Sequence, residues 1–200
     1  MKGGGQGAGG GGGGGAPDQP YPAYASIGFG GAGAGSGYAG EIANYNVSIS
    51  SLSSSATLQI GGCAISGTGG IAGYNSPNSN LDGGDGINGC DGQNTTLVGI
   101  GSASGGNGGT AGGGGLTEDE PPENAFVGTG YNDGTAGTTD YPGIGGAGET
   151  NPNNIGNGGN GANGGNPGYI DYSQPSASEE PTAGQTGQHG NPGYAKVTYI

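Results

Sequence analysis

The stretch "NGGNGANGGNPG", residues 157–168, puts asparagine at 157, 160, 163 and 166 and glycine or alanine at most positions between. Composition alone assigns such a run to a flexible linker. A linker, however, has no reason to hold one residue type at every third position. Period three is the repeat of the left-handed extended helix of the polyproline type, with about 3.1 Å of rise per residue, so twelve residues would span roughly 37 Å.

The same period recurs elsewhere. Gly83, Gly86, Gly89 and Gly92 form one series and Gly184, Gly187, Gly190 and Gly193 another, while 61, 64, 67, 70 and 73 hold Gly, Ala, Gly, Gly and Gly. The residues between the glycines also sort by phase. In 82–94 one edge is glycine, a second carries Ile87 and Cys90, and a third carries Asp82, Asp85, Asn88, Asp91 and Asn94. The pattern predicts one edge that packs, one that is sealed and one that meets solvent. Such a helix makes no internal hydrogen bonds, so each amide and carbonyl needs a partner on a neighbouring helix or in water. Backbones approach closely enough for that only where there is no Cβ. A collagen-like trimer is the wrong reading, because the triplet runs are short and interrupted and contain little proline.

The expected fold class is therefore mostly irregular and β: a bundle of polyglycine II helices with a small β-sheet element and little or no α-helix. Helices are expected at about 61–73, 83–94, 101–115, 134–149, 154–168 and 184–193. Alternating stretches such as "YNVSISSL", where Tyr45, Val47 and Ile49 share one face, predict half-buried strands within about 21–60. "TTLVGI" at 95–100 and "GYAKVTYI" at 193–200 read as further strands that tie the chain ends together. Residues 1–20 read as a glycine-rich lead, flexible or ordered on assembly, ahead of a single domain over 21–200. "LTEDEPPENAF" at 116–126 and "IDYSQPSASEEPTAG" at 170–184 break the period and read as exposed acidic loops.

Composition excludes several functions. With 58 glycines and 12 prolines in 200 residues, 28% hydrophobic residues and no tryptophan, the chain cannot build a large side-chain core. Its net charge of -13, with only Lys2 and Lys196 on the positive side, makes nucleic acid a very poor partner. Met1-Lys2 runs straight into glycine, so neither a signal peptide nor a membrane span is expected.

No motif argues for catalysis. "GFGGAG" at 28–33 fits a phosphate-cradling pattern, but in a chain this rich in glycine the match carries almost no information. "DGGDGINGCDG" at 82–92 resembles a calcium-binding repeat, yet it is a single copy with Asn88 where aspartate belongs. His189 is the only histidine and reads as an exposed edge residue. The carboxylate pairs in "TEDE" and "SEE" lack apolar neighbours, and the acceptor patterns at Asn46 and Asn94 are idle without secretion. No cofactor, metal site or enzymatic activity is expected. Cys63 and Cys90 either pair or remain buried free thiols.

"GFGGAGAGSGYAGEIANYNVSISSLSSSATLQIGG" at 28–62 is similar to the glycine-rich domain of tailed-bacteriophage tail-fibre and tip proteins. That family runs from a glycine cluster through "GYAGE" into a "VSISSL" strand, continues through "GGNGG" blocks and closes on a strand that "GNPGYAKVTYI" at 190–200 resembles. The resemblance implies a virion protein on the outer surface, an adhesin at a fibre tip. Its receptor would be a glycan or an outer-surface protein, and its other partners would be fibre or capsid proteins. It further implies that loops 74–82, 116–133 and 169–183, with Tyr74, Phe126, Tyr131, Tyr169 and Tyr172, contact the receptor. Attachment would use the polyglycine lead or the sheet, and self-association into a homo-oligomer stays open. The competing readings are a capsid decoration or head-fibre protein, an ice-binding protein resembling the glycine-rich antifreeze proteins of arthropods, and a disordered wall or granule protein.

Overall fold

The computed structural model describes every residue except 6, 16–24, 52–54, 74, 77–78, 81, 117–125, 172–178 and 199–200. Among the described residues there is no α-helix, and the strands are short: β1 (Ala25–Ile27), β2 (Leu58–Gln59), β3 (Asn75–Ser76), β4 (Ser79–Asn80), β5 (Thr95–Leu97), β6 (Gly101–Ala103) and β7 (Tyr169–Asp171). The largest sheet is antiparallel in the order β2-β5-β6, with Leu58 opposite Leu97 and Thr96 opposite Ser102. β1 pairs with β7, and β3 with β4. Single 3-10 turns occur at Ile49–Ser51 and Pro152–Asn154.

The rest of the chain runs mainly as extended segments joined by backbone hydrogen bonds: g1 (2–15), g2 (28–42), g3 (61–73), g4 (82–94), g5 (104–116), g6 (126–131), g7 (132–138), g8 (141–150), g9 (156–168) and g10 (179–194). Their bonding has period three. In g1 the amides of Lys2, Gly5, Ala8, Gly11 and Gly14 donate to g10. Those of Gly3, Gly9, Gly12 and Gly15 donate to g2, and those of Gly4, Gly10 and Gly13 to g4. The g1 carbonyls meanwhile accept from Ala64, Gly67, Gly70 and Gly73 of g3, from Gly106, Gly109, Gly112 and Gly115 of g5, and from Ala162, Gly165 and Gly168 of g9. Segment g1 is thus enclosed by a ring of g2, g5, g4, g3, g10 and g9, each also bonded to the next. Segment g2 is the second centre, enclosed by g1, g5, g6, g7, g8 and g9.

This arrangement inverts the usual core. The largest side chains wholly removed from solvent among the described residues are Thr95 and Ser36, and the buried apolar residues are all alanines. Burial falls instead on the backbone. A Cβ placed on Gly10 would collide with the carbonyl of Thr68, one on Gly12 with that of Gly113, and one on Gly31 with that of Gly12.

Several expectations change. Residues 2–5 and 7–15, expected in a lead that is flexible or ordered on assembly, are enclosed within the single chain: with a neighbour in every direction, hardly any described position on g1 has room for a side chain. Strands over 21–60 shrink to β1 and β2, because 28–42 bonds in three directions instead of the two a sheet allows. Tyr45 and Val47 are accordingly exposed. The strand at 95–100 ends at Leu97, where a turn with Gly99 at φ 83° leads into β6, so the segment expected from 101 begins at 104. The single helix expected over 134–149 is broken near 139–141, and g6 lies where a loop was expected. At the C-terminal end, among the described residues, only Tyr194 bridges, to Lys2, which also bridges Ile42. Within g4 the isoleucine edge is not sealed, since Ile87 is 62% exposed.

Gly12→Ala is expected to destabilise by at least the ~1–3 kcal/mol typical of overpacking, since the obstructing atoms are backbone and hydrogen-bonded. Gly62→Ala meets only the Gln93 side chain, at 3.3 Å, and is expected to change stability by less than about 1 kcal/mol. Thermal or urea unfolding of the two variants checks the contrast.

Candidate functional site

The outward amides of the array are closed by side chains. Oδ1 of Asp85, Asn88, Asp91 and Asn94 accepts from Gly114, Ala111, Gly108 and Gly105 of g5, at 2.8–2.9 Å. The third edge of g4, expected simply to meet solvent, is therefore a ladder of caps. The asparagine edge of g9 does the same for g8 and the residue that follows it: Asn163, Asn160 and Asn157 accept from Gly145, Gly148 and Asn151. These side chains stand where a further segment would otherwise have to supply a carbonyl.

His189 belongs to the same group, with Nδ1 accepting from the Ser66 amide at 3.1 Å and lying 3.3 Å from the Ala64 carbonyl. The g4 carboxylates lie along one edge and do not converge, and among the described residues no group of three or more His, Cys, Asp or Glu is placed to hold a metal ion. Cys63 and Cys90 are both free and exposed, so they are neither paired nor buried. Their phases explain why: Cys63 shares a phase with Ser66 and Gly69, which meet g10, whereas Cys90 shares one with Gly84, which meets Ile71 of g3.

Bonding partners also define the two ends. Gly13, Gly14 and Gly15 bond to Gly84, Thr182 and Phe29 and accept from Gly115, Gly73 and Gly168. Segments g1, g3, g5, g7 and g9 therefore finish, and g2, g4, g6, g8 and g10 begin, at this one end. Here β1 pairs with β7, and Tyr169 exchanges both backbone hydrogen bonds with Glu179 at 2.7 Å. Phe126 is 86% exposed at the start of g6. Nearby, Tyr141 is 73% exposed on a turn held by Thr138, whose Oγ1 accepts from the Asp140 and Tyr141 amides. Asp82, Asp140, Glu179 and Glu180 are exposed at the same end.

The candidate contact residues thus divide. Phe126 and Tyr169 lie at the Gly15 end. Tyr131 does not: it lies part-way along the array, its ring edge-on to Tyr38 at 5.9 Å between centroids. Tyr74 and Tyr172 fall outside the described residues. Tyr141 is not singled out by the sequence pattern, which predicts one helix over 134–149, although "TTDYPG" at 138–143 carries turn chemistry.

The opposite end holds the β2-β5-β6 sheet, Lys2, Ile42 and Tyr194. Buried Thr95 accepts the Gly61 amide there, and the Tyr45 hydroxyl both donates to the Ser102 carbonyl and accepts from its amide. The backbone amide and hydroxyl of Ser104 lower the pKa of exposed Glu41, whose Oε2 accepts from that amide at 2.9 Å. Compared with known protein families and with curated proteins, the chain matches none by sequence.

Asn88→Ala leaves the Ala111 amide to solvent and is expected to cost about 0.5–1.5 kcal/mol, while Asn88→Asp keeps an acceptor. Amide exchange at Ala111 should speed up in the first variant only. Because the folded-state pKa of Glu41 is depressed, its stabilisation is present above the unfolded value and is lost as pH falls through the folded one. Glu41→Gln, whose amide oxygen still accepts, should therefore lose less stability than the wild type on acidification, as read from paired unfolding curves at neutral and acidic pH.

Proposed function

We propose that the extended segments are polyglycine II helices and that the protein is a non-enzymatic structural component of a bacteriophage virion, an adhesin at the tip of a tail fibre or related appendage. The helix reading is supported by the period-three bonding. It is also supported by the glycine dihedrals, since among the described glycines only Gly99 and Gly156 have positive φ. The observation that carries the functional reading is the division of the array into two chemically different ends. One gathers the chain crossings with exposed Phe126 and Tyr141, which suit a glycan or a protein loop, and the other holds the sheet. Exposed aromatic side chains gathered at one end of a hydrogen-bonded array suit receptor recognition. The acidic charge argues against a nucleic-acid partner and leaves receptor contacts to neutral groups.

One observation favours a second reading. Ile65, Thr68 and Ile71 form an exposed, evenly spaced row on g3 beside Ile87 of g4, a weakly polar row of the kind an ice-binding protein would use. An ice-recrystallisation assay addresses it directly.

Gold-antibody labelling of purified particles from the source culture tests the first reading. Label confined to fibre or tail tips is expected. Label spread over the capsid would replace the adhesin with a decoration protein, and unlabelled particles would remove the virion role.

A further inference from the structure

We infer that Asn107–Gly108 on g5 is a self-modification site, where the Gly108 nitrogen closes on the Asn107 side chain, expels ammonia and leaves aspartate and isoaspartate after hydrolysis. An asparagine that precedes glycine is open to this chemistry, because asparagine is thermally labile and glycine puts no side chain beside the attacking nitrogen.

Five asparagines precede glycine, at 88, 107, 157, 160 and 163. In four of the pairs both reacting groups are locked. The attacking amides would be those of Gly89, Gly158, Gly161 and Gly164, and they donate to the carbonyls of Gly109, Glu149, Gly146 and Gly143. The side chains under attack, Asn88, Asn157, Asn160 and Asn163, cap Ala111, Asn151, Gly148 and Gly145. A peptide carbonyl does not take up the amide proton, and closing the ring would break both bonds.

Asn107 differs in both respects. Its side chain makes no hydrogen bond among the described residues, and the Gly108 amide donates to Oδ1 of Asp91, at 2.9 Å, instead of to a carbonyl. Exposure is not what separates it, since Asn88 and Asn160 are exposed as well. The path of g6 is the cause. Thr110 and Gly113, in phase with Asn107, bond to Thr129 and Phe126. That register would set Asn132 opposite Asn107, but the chain turns at 131–132 and the Asn132 carbonyl accepts from Ser36 instead. Asn107 therefore faces a place that g6 has left. Among the described residues its backbone is held only through its carbonyl, which accepts from Tyr38 at 3.2 Å.

Asp91 supplies the proton acceptor, within the hydrogen-bond reach a general base needs. As the Gly108 nitrogen attacks Cγ of Asn107, the Asp91 carboxylate takes its proton and the new N–Cγ bond forms. The Cγ–Nδ2 bond then breaks, and the proton returned by Asp91 leaves with Nδ2 as ammonia. Water opens the ring at Cγ to give aspartate, or at the backbone carbonyl carbon to give isoaspartate. The latter carries an extra methylene in the main chain. Gly105 and Gly108 then cannot both stay in register with Asn94 and Asp91, so the change loosens the seam between g4 and g5.

The test incubates the purified full-length protein at mildly alkaline pH, well below its Tm, and follows each asparagine by tandem mass spectrometry of its peptides. In the folded protein, amide loss at Asn107 is expected to be about tenfold or more faster than at any of the other four, the factor expected where two hydrogen bonds must first break. In urea the five should react at similar rates, since their local sequence is alike. Equal rates in the folded protein, or earlier loss at Asn88, Asn157, Asn160 or Asn163, would overturn the assignment. Asn107→Gln should remove the fast phase of ammonia release, and its persistence would place the chemistry elsewhere. Asp91→Asn keeps a cap like those of Asn88 and Asn94 but takes no proton, so Asn107 should react several-fold more slowly with Tm unchanged. An unchanged rate would overturn the role of Asp91. If Asp91→Asn loses Tm, the pH dependence of the wild-type rate replaces it: a rate rising only with hydroxide, with no contribution from the carboxylate, would overturn the same role.

Discussion

Everything in this molecule depends on extended chains satisfying one another's backbone hydrogen bonds in three directions at once. An extended segment of this period makes no hydrogen bonds within itself, so every amide and carbonyl removed from water needs a partner on a neighbour. The segments must therefore approach so closely that a Cβ would occupy the position of a carbonyl oxygen, as at Gly10 and Gly12. Glycine is required here for the approach and not for unusual dihedral angles: only Gly99, in a turn, and Gly156, beside the Asn153–Asn154 turn, adopt positive φ. The large entropic cost of ordering glycine is offset by bonds such as those along g1, distributed over its whole length, and not by apolar side-chain burial.

The same constraint accounts for the distribution of the other residues. A peripheral segment faces neighbours along only part of its circumference, so side chains return at regular intervals on the rest. Those side chains do more than meet solvent. The g4 ladder of aspartate and asparagine and the g9 ladder of asparagine terminate the hydrogen-bond array by capping the amides of the adjoining segment. In the array they serve the purpose that N-caps serve for an α-helix.

Because the segments alternate in direction and bond in register, most of them begin and finish at one of two ends, the g6–g7 turn at 131–132 lying part-way along. The Gly15 end carries exposed aromatic and acidic residues, and the Lys2 end carries the sheet, exposed aliphatic residues and both lysines. The sides between them are capped. The proposed adhesin role rests on this difference between the two ends.

Period-three glycine at 61–73, 83–94 and 184–193 was legible from residue spacing alone, because each position facing a neighbour must lack a bulky side chain. The asparagines of 157–168 were legible as one edge, though not as caps, since their partners in g8 are brought to them by the packing of segments and not by the local pattern. The position of residues 2–15 was not legible: an unbroken glycine run reads equally as a free tail or as a segment enclosed on every side. Tyr131 and Phe126 looked equivalent in sequence and are separated by the direction of g6, while Tyr141 emerged only where g7 turns into g8. The sequence by itself determined the local repeat and which edges could carry side chains, because those follow from whether a residue has a Cβ. Which segments became neighbours, which run became the centre and which side chains met at each end were decided only by the tertiary structure, because hydrogen bonds between identical backbones carry no address of their own.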